Sequence, residues 1–274
     1  MIPDVFAYER PETREGALAL LAEHGDEAKV LAGGHSLLPL MKLRLARPSL
    51  VVDVARLYEL SYVREEDGFV CVGATTRHHD LATSDVARAS APLLAHVAGQ
   101  VGDPQVRHRG TLGGSLVHGD PASDLPAAVL ALGGTLVVEG PSGRRTIDAR
   151  EFFVSFFEVA IAPDEMLVEI RVPSNPGEQW AFEKLTKRAQ DWAIVGAAVT
   201  RRASGVGVAL INVAPVPLRA AAVEEALAAG AGAEEAAQLA AEGTDPSSDF
   251  NASPEYRRHL ARVLVRRALQ KAGF

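Results

Sequence analysis

Cysteine is almost absent from this chain of 274 residues, because Cys71 is the only one. A single cysteine cannot form an internal disulfide, and it cannot supply the roughly four thiolates that hold an ordinary iron–sulfur cluster. If the chain takes part in redox chemistry, the electrons must therefore arrive from another polypeptide. Cys71 lies in an apolar run, residues 69–73, which predicts a buried strand residue and not a reactive thiol.

The chain also lacks an excess of basic residues and any long apolar run. Its net charge of -7 argues against nucleic acid as the main partner. No run approaches the roughly 20 apolar residues that span a bilayer, and residues 1–4 lack the basic and apolar parts of a signal peptide. With 47% hydrophobic and 23% charged residues, the composition predicts a soluble globular enzyme in the cytoplasm.

Several nucleotide and metal motifs are missing as well. The glycine-rich segments lack the Lys-Ser/Thr ending of a P-loop, which argues against nucleotide hydrolysis, and they lack the G-x-G-x-x-G of a Rossmann site. The neighbouring histidines His78 and His79 suggest a metal site at first. Adjacent residues of a helix do not share a face, however, and no third ligand follows at a telling spacing, so we predict no metal site.

Two Gly-Gly motifs are the main features that are present. The first, residues 32–37, follows a predicted buried strand at residues 28–31, and the second, residues 111–115, lies in a glycine-rich stretch, residues 103–126. We predict that this stretch is an irregular binding loop. Consecutive backbone N–H groups without bulky side chains can surround a phosphate, so the two motifs could hold one diphosphate. Each motif alone is equally compatible with an ordinary tight turn.

The remaining pattern predicts alternating helices and strands in two parts. A Pro/Gly-rich segment, residues 173–177, is the clearest linker, and the hairpin after it is predicted to turn at residues 203–205. Four of the nine phenylalanines lie in residues 152–157, where core packing and a wall of a ligand site are both open. The last helix, residues 254–271, carries Arg258, Arg262 and Arg266 on one face, for which solvent exposure and docking to a partner are both open.

The residues that flank the two motifs allow a more specific interpretation of them. The runs AGGHSLLPLMKLRLARPSLVVDV, residues 32–54, and RHRGTLGGSLVHGDPASDLPAAVLALG, residues 107–133, closely resemble the FAD-binding medium subunits of aerobic carbon monoxide dehydrogenases. More broadly, the chain resembles the flavin module of the molybdenum hydroxylases, the xanthine dehydrogenase family. The resemblance extends over nearly the whole chain.

The resemblance implies an α+β fold. An FAD-binding domain of the vanillyl-alcohol-oxidase or PCMH type would span residues 1–175, with subdomains at about 1–56 and 57–175. A smaller α+β domain, like the C-terminal domain of the carbon monoxide dehydrogenase flavoprotein, would follow at residues 178–274. FAD would be bound without a covalent link.

The resemblance also assigns site residues. The two motifs would bind the diphosphate, and Ser115 stands where many members have Asn. Asp124 would bond a polar part of the cofactor or serve as a helix cap, the backbone of Leu167 would meet the flavin ring, and Trp192 would stack on the ring or fill a domain interface. The expected cofactor-binding residues are Ala32, Gly33, Gly34, His35, Ser36, Leu37, Thr111, Leu112, Gly113, Gly114, Ser115, Asp124, Leu167, Lys184 and Trp192.

No catalytic residue is expected from this chain, because a flavin carries the redox chemistry itself. A large molybdopterin-binding subunit and a small [2Fe-2S] subunit would be partners in a heterotrimer or its dimer. Electrons would pass from the [2Fe-2S] clusters to FAD and on to an acceptor such as a quinone, which would be met at the inner face of the membrane. The alternatives are a self-contained FAD oxidase or reductase, a flavin subunit of a hydroxylase acting on an N-heterocycle or aldehyde, and a non-enzymatic binding module.

Overall fold

A three-stranded parallel sheet with two helices forms the first lobe of the computed structural model, which describes residues 2–202 and 205–274. Its elements are β1 (Ala7–Glu9), α1 (Arg14–His24), β2 (Ala28–Leu31), α2 (Leu37–Lys42) and β3 (Leu50–Asp53). The strand order is β1-β3-β2. The helix predicted in residues 36–45 is shorter than expected, because Arg44 adopts a left-handed conformation with φ 58°.

A five-stranded antiparallel sheet forms the second lobe, and helices cover it. The strand order is β4-β5-β10-β6-β7, so β10 lies at the centre. Cys71 is buried in β5, as predicted. The elements are β4 (Val63–Glu66), β5 (Phe69–Gly73), α3 (His78–Thr83), α4 (Asp85–Ser90), α5 (Pro92–Gln100), α6 (Pro104–Arg107), α7 (Leu112–His118), α8 (Asp124–Ala131), β6 (Thr135–Gly140), β7 (Gly143–Asp148), α9 (Ala149–Phe152), β8 (Phe153–Ser155), β9 (Glu158–Val159) and β10 (Met166–Pro173).

The stretch of residues 103–126 is not the irregular loop that we predicted, because it contains α6, α7 and the start of α8. Asp103 caps α6 by accepting a hydrogen bond from Val106 N at 2.9 Å, and Thr111 caps α7 by accepting one from Gly114 N at 3.1 Å. Both are recognisable N-cap residues, and Pro104 follows directly after the first. The glycine content concealed these helix starts.

A four-stranded antiparallel sheet, order β11-β12-β13-β14, forms the C-terminal part, and the long helix α12 packs across it. Its elements are β11 (Gln179–Leu185), β12 (Val195–Arg202), β13 (Gly205–Ile211), β14 (Leu218–Arg219), α10 (Ala221–Ala228), α11 (Ala233–Gln238) and α12 (Pro254–Lys271). In the predicted hairpin turn, residues 203 and 204 lie outside the described residues. None of the helices described is both long enough and apolar enough to cross a bilayer.

The arginine face of α12 is partly used within the chain. Arg262 donates to the carbonyl oxygen of Gln238 at 3.1 Å, and Arg266 pairs with Glu234 at 3.1 Å. Both contacts fix α12 to α11. A fourth arginine, Arg257, is 1% exposed and donates to the carbonyl of Asn212 at 3.3 Å and to Asp249 at 2.8 Å, so the helix also has a buried charge.

Each of the three larger sheets packs against its own apolar core. One core joins α1 and the parallel sheet to Val137, Met166 and Val168 of the second lobe, and it includes Leu57 and Leu60. A second core lies between the five-stranded sheet and its helices, and a third lies under α12. The boundaries at residues 56, 175 and 178 therefore remain proposals, since the first core continues past residue 56.

Candidate cofactor site

A cavity of about 750 Å³ lies where the first lobe, α7, β10 and the segment after β11 meet. Its volume falls within the roughly 300–1,000 Å³ of typical small-molecule sites. Except for Leu112, all the predicted cofactor-binding residues line this cavity. Leu112 is fully buried in the apolar core, so its side chain packs the helix and does not face the cavity.

The first Gly-Gly motif offers a row of free amides. Within the described residues, the backbone N–H groups of residues 32–36 donate to no protein acceptor. Gly34 has φ 78°, a left-handed conformation that favours glycine, and it turns the chain between β2 and α2. Unpaired backbone donors beside a cavity need an acceptor, and the oxygens of a phosphate are well suited to that role.

The second Gly-Gly motif behaves differently, and here our prediction of free amides is wrong. The N–H of Leu112 donates to Thr76 O at 2.9 Å and that of Gly113 to Ala74 O at 3.0 Å. The N–H of Gly114 is bonded to the Thr111 side chain, and that of Ser115 to the Thr111 carbonyl at 3.0 Å. The motif is therefore the bonded first turn of α7, and it can contribute to the cavity mainly through its shape and the Ser115 hydroxyl.

Gly33 brings the first motif into direct contact with the two residues that precede the second motif. A Cβ atom on Gly33 would lie 2.3 Å from the carbonyl oxygen of Arg109 and 2.8 Å from Cα of Gly110. Gly113 packs equally closely on β5, since its Cβ would lie 2.6 Å from the carbonyl oxygen of Ala74. The glycines at these two positions therefore permit backbone to approach backbone. A valine at Gly33 or Gly113 would therefore disturb the fold as well as the cavity.

Asp124 and Lys184 form a buried ion pair at the cavity wall. Lys184 Nζ donates to Asp124 Oδ2 at 2.7 Å, and the side chains are 13% and 5% exposed, respectively. Burial raises the pKa of the Asp124 carboxyl, and Lys184 opposes that shift. Asp124 Oδ1 is buried and has no protein partner. The predicted helix cap is absent, because neither Ser123 nor Asp124 makes a side-chain cap bond at the start of α8.

Leu167 and Trp192 lie on other walls. The register between β10 and β6 shifts between Leu167 and Glu169, which is a local irregularity of the kind that often borders binding sites. Trp192 is 60% exposed, so it is not buried between domains as one of the two predictions had it. Its indole is available to stack on a planar ligand.

Other cavity residues were not predicted from the sequence. His78 and Thr75 are buried, and His78 Nδ1 and Thr75 Oγ1 have no hydrogen-bond partner. Phe157, which is 45% exposed, belongs to the phenylalanine group and lines the mouth, whereas Phe152 and Phe153 are buried in the core. Little in the sequence indicated that these residues line the cavity, because each lies next to an apolar stretch and belongs to no known motif.

These features fit FAD, the cofactor that the resemblance implies. The free amides of residues 32–36 suit the diphosphate, and the unpartnered Asp124 Oδ1 suits a donor on a polar part of the molecule. The exposed Trp192 and the chain irregularity at Leu167 suit a planar ring. Within the described residues, no group of three or more His, Cys, Asp or Glu side chains is arranged to hold a metal ion.

Comparison with known proteins agrees with this chemistry. Residues 4–175 match the family described as the FAD binding domain in molybdopterin dehydrogenase. The chain belongs to this FAD-binding family. Residues 180–272 match the carbon monoxide dehydrogenase flavoprotein C-terminal domain. This member of the FAD-binding family is an oxidoreductase subunit, and its cofactor is FAD.

Several relatives are similar over nearly their full lengths. The chain is 43% identical to the carbon monoxide dehydrogenase medium chain of Hydrogenophaga pseudoflava, covering 99% of this chain and 98% of that one. It is 38% identical to the 6-hydroxypseudooxynicotine dehydrogenase complex subunit alpha of Paenarthrobacter nicotinovorans, covering 99% and 96%. A solved carbon monoxide dehydrogenase from Hydrogenophaga pseudoflava, which lacks the Mo-pyranopterin moiety of the molybdenum cofactor, matches with a TM-score of 0.96, at 44% identity over 99% and 98% of the chains.

Replacing Trp192 with alanine is expected to weaken FAD binding without weakening the fold. Because Trp192 is 60% exposed, the free energy of unfolding should change by less than about 0.5 kcal/mol. Loss of an aromatic stack should raise the Kd of FAD roughly two- to tenfold. Flavin fluorescence titration and thermal melts measure the two quantities.

The other tryptophan provides the control. Trp180 packs against His96, with ring centroids 4.8 Å apart, and against the main core. Trp180→Ala should therefore lower the melting temperature while leaving the cavity wall formed by Trp192 in place. If Trp192→Ala instead left FAD affinity unchanged and destabilised the chain, the indole would be a packing residue.

Proposed function

We propose that this chain is the electron-transfer subunit of a molybdenum hydroxylase most like aerobic carbon monoxide dehydrogenase. It takes electrons from [2Fe-2S] clusters of a small partner subunit and passes them to an external acceptor such as a quinone. A large molybdopterin-binding subunit oxidises the substrate. The observation that carries the proposal is the row of free amides at residues 32–36, which lies in a cavity shared with the buried Asp124 carboxylate.

The residues of the chain bind and orient the cofactor. The amides of the first motif and the hydroxyls of Ser36 and Ser115 would bind the diphosphate, and Asp124 Oδ1 would accept a hydrogen bond from the cofactor. Lys184 holds that carboxylate in place. Trp192 and the backbone at Leu167 would enclose the ring and exclude water from it. FAD, when bound without a covalent link, accepts electrons from one redox centre and releases them to another.

The mouth of the cavity supports an approach by a partner. Phe156 and Phe157 pack on each other with centroids 4.4 Å apart, and they are 61% and 45% exposed. Phe157 lines the cavity, as do Val117 and Trp192, which are also exposed. Exposed apolar side chains grouped at one place are typical of interaction surfaces. Since Cys71 is the only thiol, the electrons that enter here come from a cluster on the partner.

Purification of the native complex through a tag on this chain tests the proposal. We expect co-purifying subunits that carry molybdopterin and [2Fe-2S] clusters, and we expect substrate to reduce the flavin only in the complete complex. The isolated chain should be yellow and should release FAD on denaturation. Substrate oxidation by the isolated chain would instead favour a self-contained oxidase, and absence of flavin would favour a non-enzymatic binding module.

The substrate is assigned by similarity, and carbon monoxide is the first candidate. A second candidate is an N-heterocycle or an aldehyde, which is favoured by the 38% identity to a subunit of 6-hydroxypseudooxynicotine dehydrogenase. Specificity in such a complex lies around the molybdenum, in a different chain. Flavin reduction in the purified complex, compared between carbon monoxide and a panel of heterocycles and aldehydes, distinguishes the two. We place the complex in the cytoplasm, at the inner face of the membrane when the acceptor is a quinone.

A negative charge at Ser36 is expected to prevent FAD binding. Ser36 lines the cavity and its side chain makes no cap bond, so Ser36→Asp should leave the fold intact. The new carboxylate would repel the diphosphate, and the Kd of FAD should rise by at least about tenfold. In the control variant Ser36→Asn, the new side chain has the size of Asp without its charge, so this variant should bind FAD almost as tightly as the unchanged chain does. Equal affinity of the two variants would place the diphosphate away from the first motif.

A further inference from the structure

His78 lies at the junction of the two Gly-Gly motifs. It is the first residue of α3, and its backbone N–H donates to the carbonyl oxygen of Gly110 at 2.9 Å. A Cβ on Gly110 would lie 2.8 Å from Cδ2 and Nε2 of the imidazole, so the ring packs directly on this glycine. Gly110 in turn contacts Gly33. The imidazole therefore lies close to Gly33, one of the residues of the first motif whose amides are free.

The polar atoms of this imidazole lack partners. His78 is 4% exposed and lines the cavity, and within the described residues it makes no side-chain hydrogen bond. Nδ1 is completely buried, whereas Nε2 keeps some accessible surface where the ring lines the cavity. A buried polar side chain without a partner is unusual in a folded protein, and a ligand atom is the simplest missing partner.

The charges around His78 favour an anion. Burial, together with smaller contributions from the neighbouring His35 and Arg107, lowers the pKa of His78 to about 4. The imidazole is therefore neutral at pH 7, with one N–H donor and one acceptor nitrogen. None of the groups that shift its pKa is a carboxylate. An N–H donor in surroundings without negative charge is complementary to a phosphate oxygen.

We propose that Nε2–H of His78 donates a hydrogen bond to the diphosphate of bound FAD. This role rests on the proposed function, because it requires FAD in the cavity. The contact is separate from the amides of the first motif and from Asp124. The amides of residues 112–115 are already bonded within the protein, so they cannot donate to the diphosphate. His78 supplies a donor in their place, on the side of the diphosphate opposite the first motif.

Two substitutions test this contact in the full-length chain after removal of FAD. His78→Phe keeps the ring volume and removes the donor, so the Kd of FAD should rise roughly 10- to 100-fold, as expected for a bond to a charged acceptor. His78→Gln can place an amide N–H near the position of Nε2 and should recover most of the affinity. Riboflavin has no phosphate, and its Kd should be the same for all three chains.

The outcomes separate the possible failures. If His78→Phe binds FAD as tightly as the unchanged chain, the proposal is refuted. If the variant loses FAD and riboflavin equally, His78 shapes the ring pocket and the diphosphate contact is again refuted. If the unchanged chain binds neither ligand, the proposed function itself fails. Thermal melts without ligand exclude unfolding as the cause, and the phenyl ring should preserve stability because it removes the unpartnered Nδ1.

Discussion

Adding a single methyl group at Gly33 is expected to destabilise the protein strongly and to weaken FAD binding at the same time. The Cβ of Gly33→Ala would lie 2.3 Å from the carbonyl oxygen of Arg109, and Cα of Gly110 lies only 2.8 Å away. Both neighbours are backbone atoms, which cannot rotate aside as a side chain would. The two motifs must therefore separate, at a cost of roughly 3 kcal/mol, which is the upper end of the usual range for overpacking.

Chemical denaturation with parallel FAD titration measures both effects. Gly99→Ala is a matched control, because it adds the same methyl group in α5, where the nearest atom is Cβ of Ala82 at 3.8 Å. That change should be neutral or stabilising by up to about 1 kcal/mol, since alanine favours the helix. Gly113→Ala should resemble Gly33→Ala. A Gly33→Ala chain that melts normally and retains FAD would show that the motifs are not held in contact.

Replacing Lys184 with methionine is expected to have the second large effect. Among the residues that the structure describes, Lys184 is the only charged group that stabilises the ionised Asp124 carboxylate, and both side chains are largely buried. Removing one partner of a buried ion pair leaves an uncompensated charge, so the free energy of unfolding should fall by about 3–5 kcal/mol at pH 7. The double variant Asp124→Leu/Lys184→Met removes both charges and should recover most of that stability.

The stability of the single variant Lys184→Met should show a distinctive pH dependence. Burial raises the folded-state pKa of Asp124 above its unfolded value, so the folded chain holds this proton more tightly. Stability from this group is present in acid and is lost as pH rises through the folded pKa. Without Lys184 that pKa rises further. The difference between Lys184→Met and the unchanged chain should therefore be small in acid and largest at neutral pH, as measured by denaturation at several pH values.

FAD binding distinguishes the structural role of the pair from its role in the site. The double variant should fold but lacks the acceptor Asp124 Oδ1. Its Kd for FAD should therefore be roughly 10- to 100-fold higher than that of the unchanged chain. Asp124→Asn provides an intermediate case, since it keeps an acceptor oxygen without the charge. If the folded double variant bound FAD normally, the pair would serve stability alone.

Much of the site could be predicted from local sequence. The first Gly-Gly motif follows an apolar strand and needs the positive φ of Gly34, and both signals are local. The buried strand around Cys71 followed from a short-range pattern of apolar residues, and the α+β class followed from the family resemblance. The family resemblance rested on the same two segments, because binding a diphosphate with main chain constrains the residue types near it. These features depend on neighbours within a few positions.

The tertiary structure decided which donors remain for the ligand. The two motifs have similar sequences, yet the amides of Leu112 and Gly113 are bonded to Thr76 and Ala74, which lie far from them in the sequence, while those of residues 32–36 are not. Asp124 and Lys184 are 60 positions apart, and only folding makes them a pair. His78 showed no recognisable motif, and its place beside Gly110 results from the packing of α3.

The sequence by itself thus determined the kind of fold, the family and the segments that meet the cofactor. The sequence could not determine which amides are free to bind FAD. An N–H group is available to FAD only if no protein acceptor lies within hydrogen-bonding distance. That condition depends on residues distant in the chain, such as Ala74 for Gly113. Only the packed structure could therefore divide the glycine motifs into one that offers its amides and one that uses them to hold α7 in place.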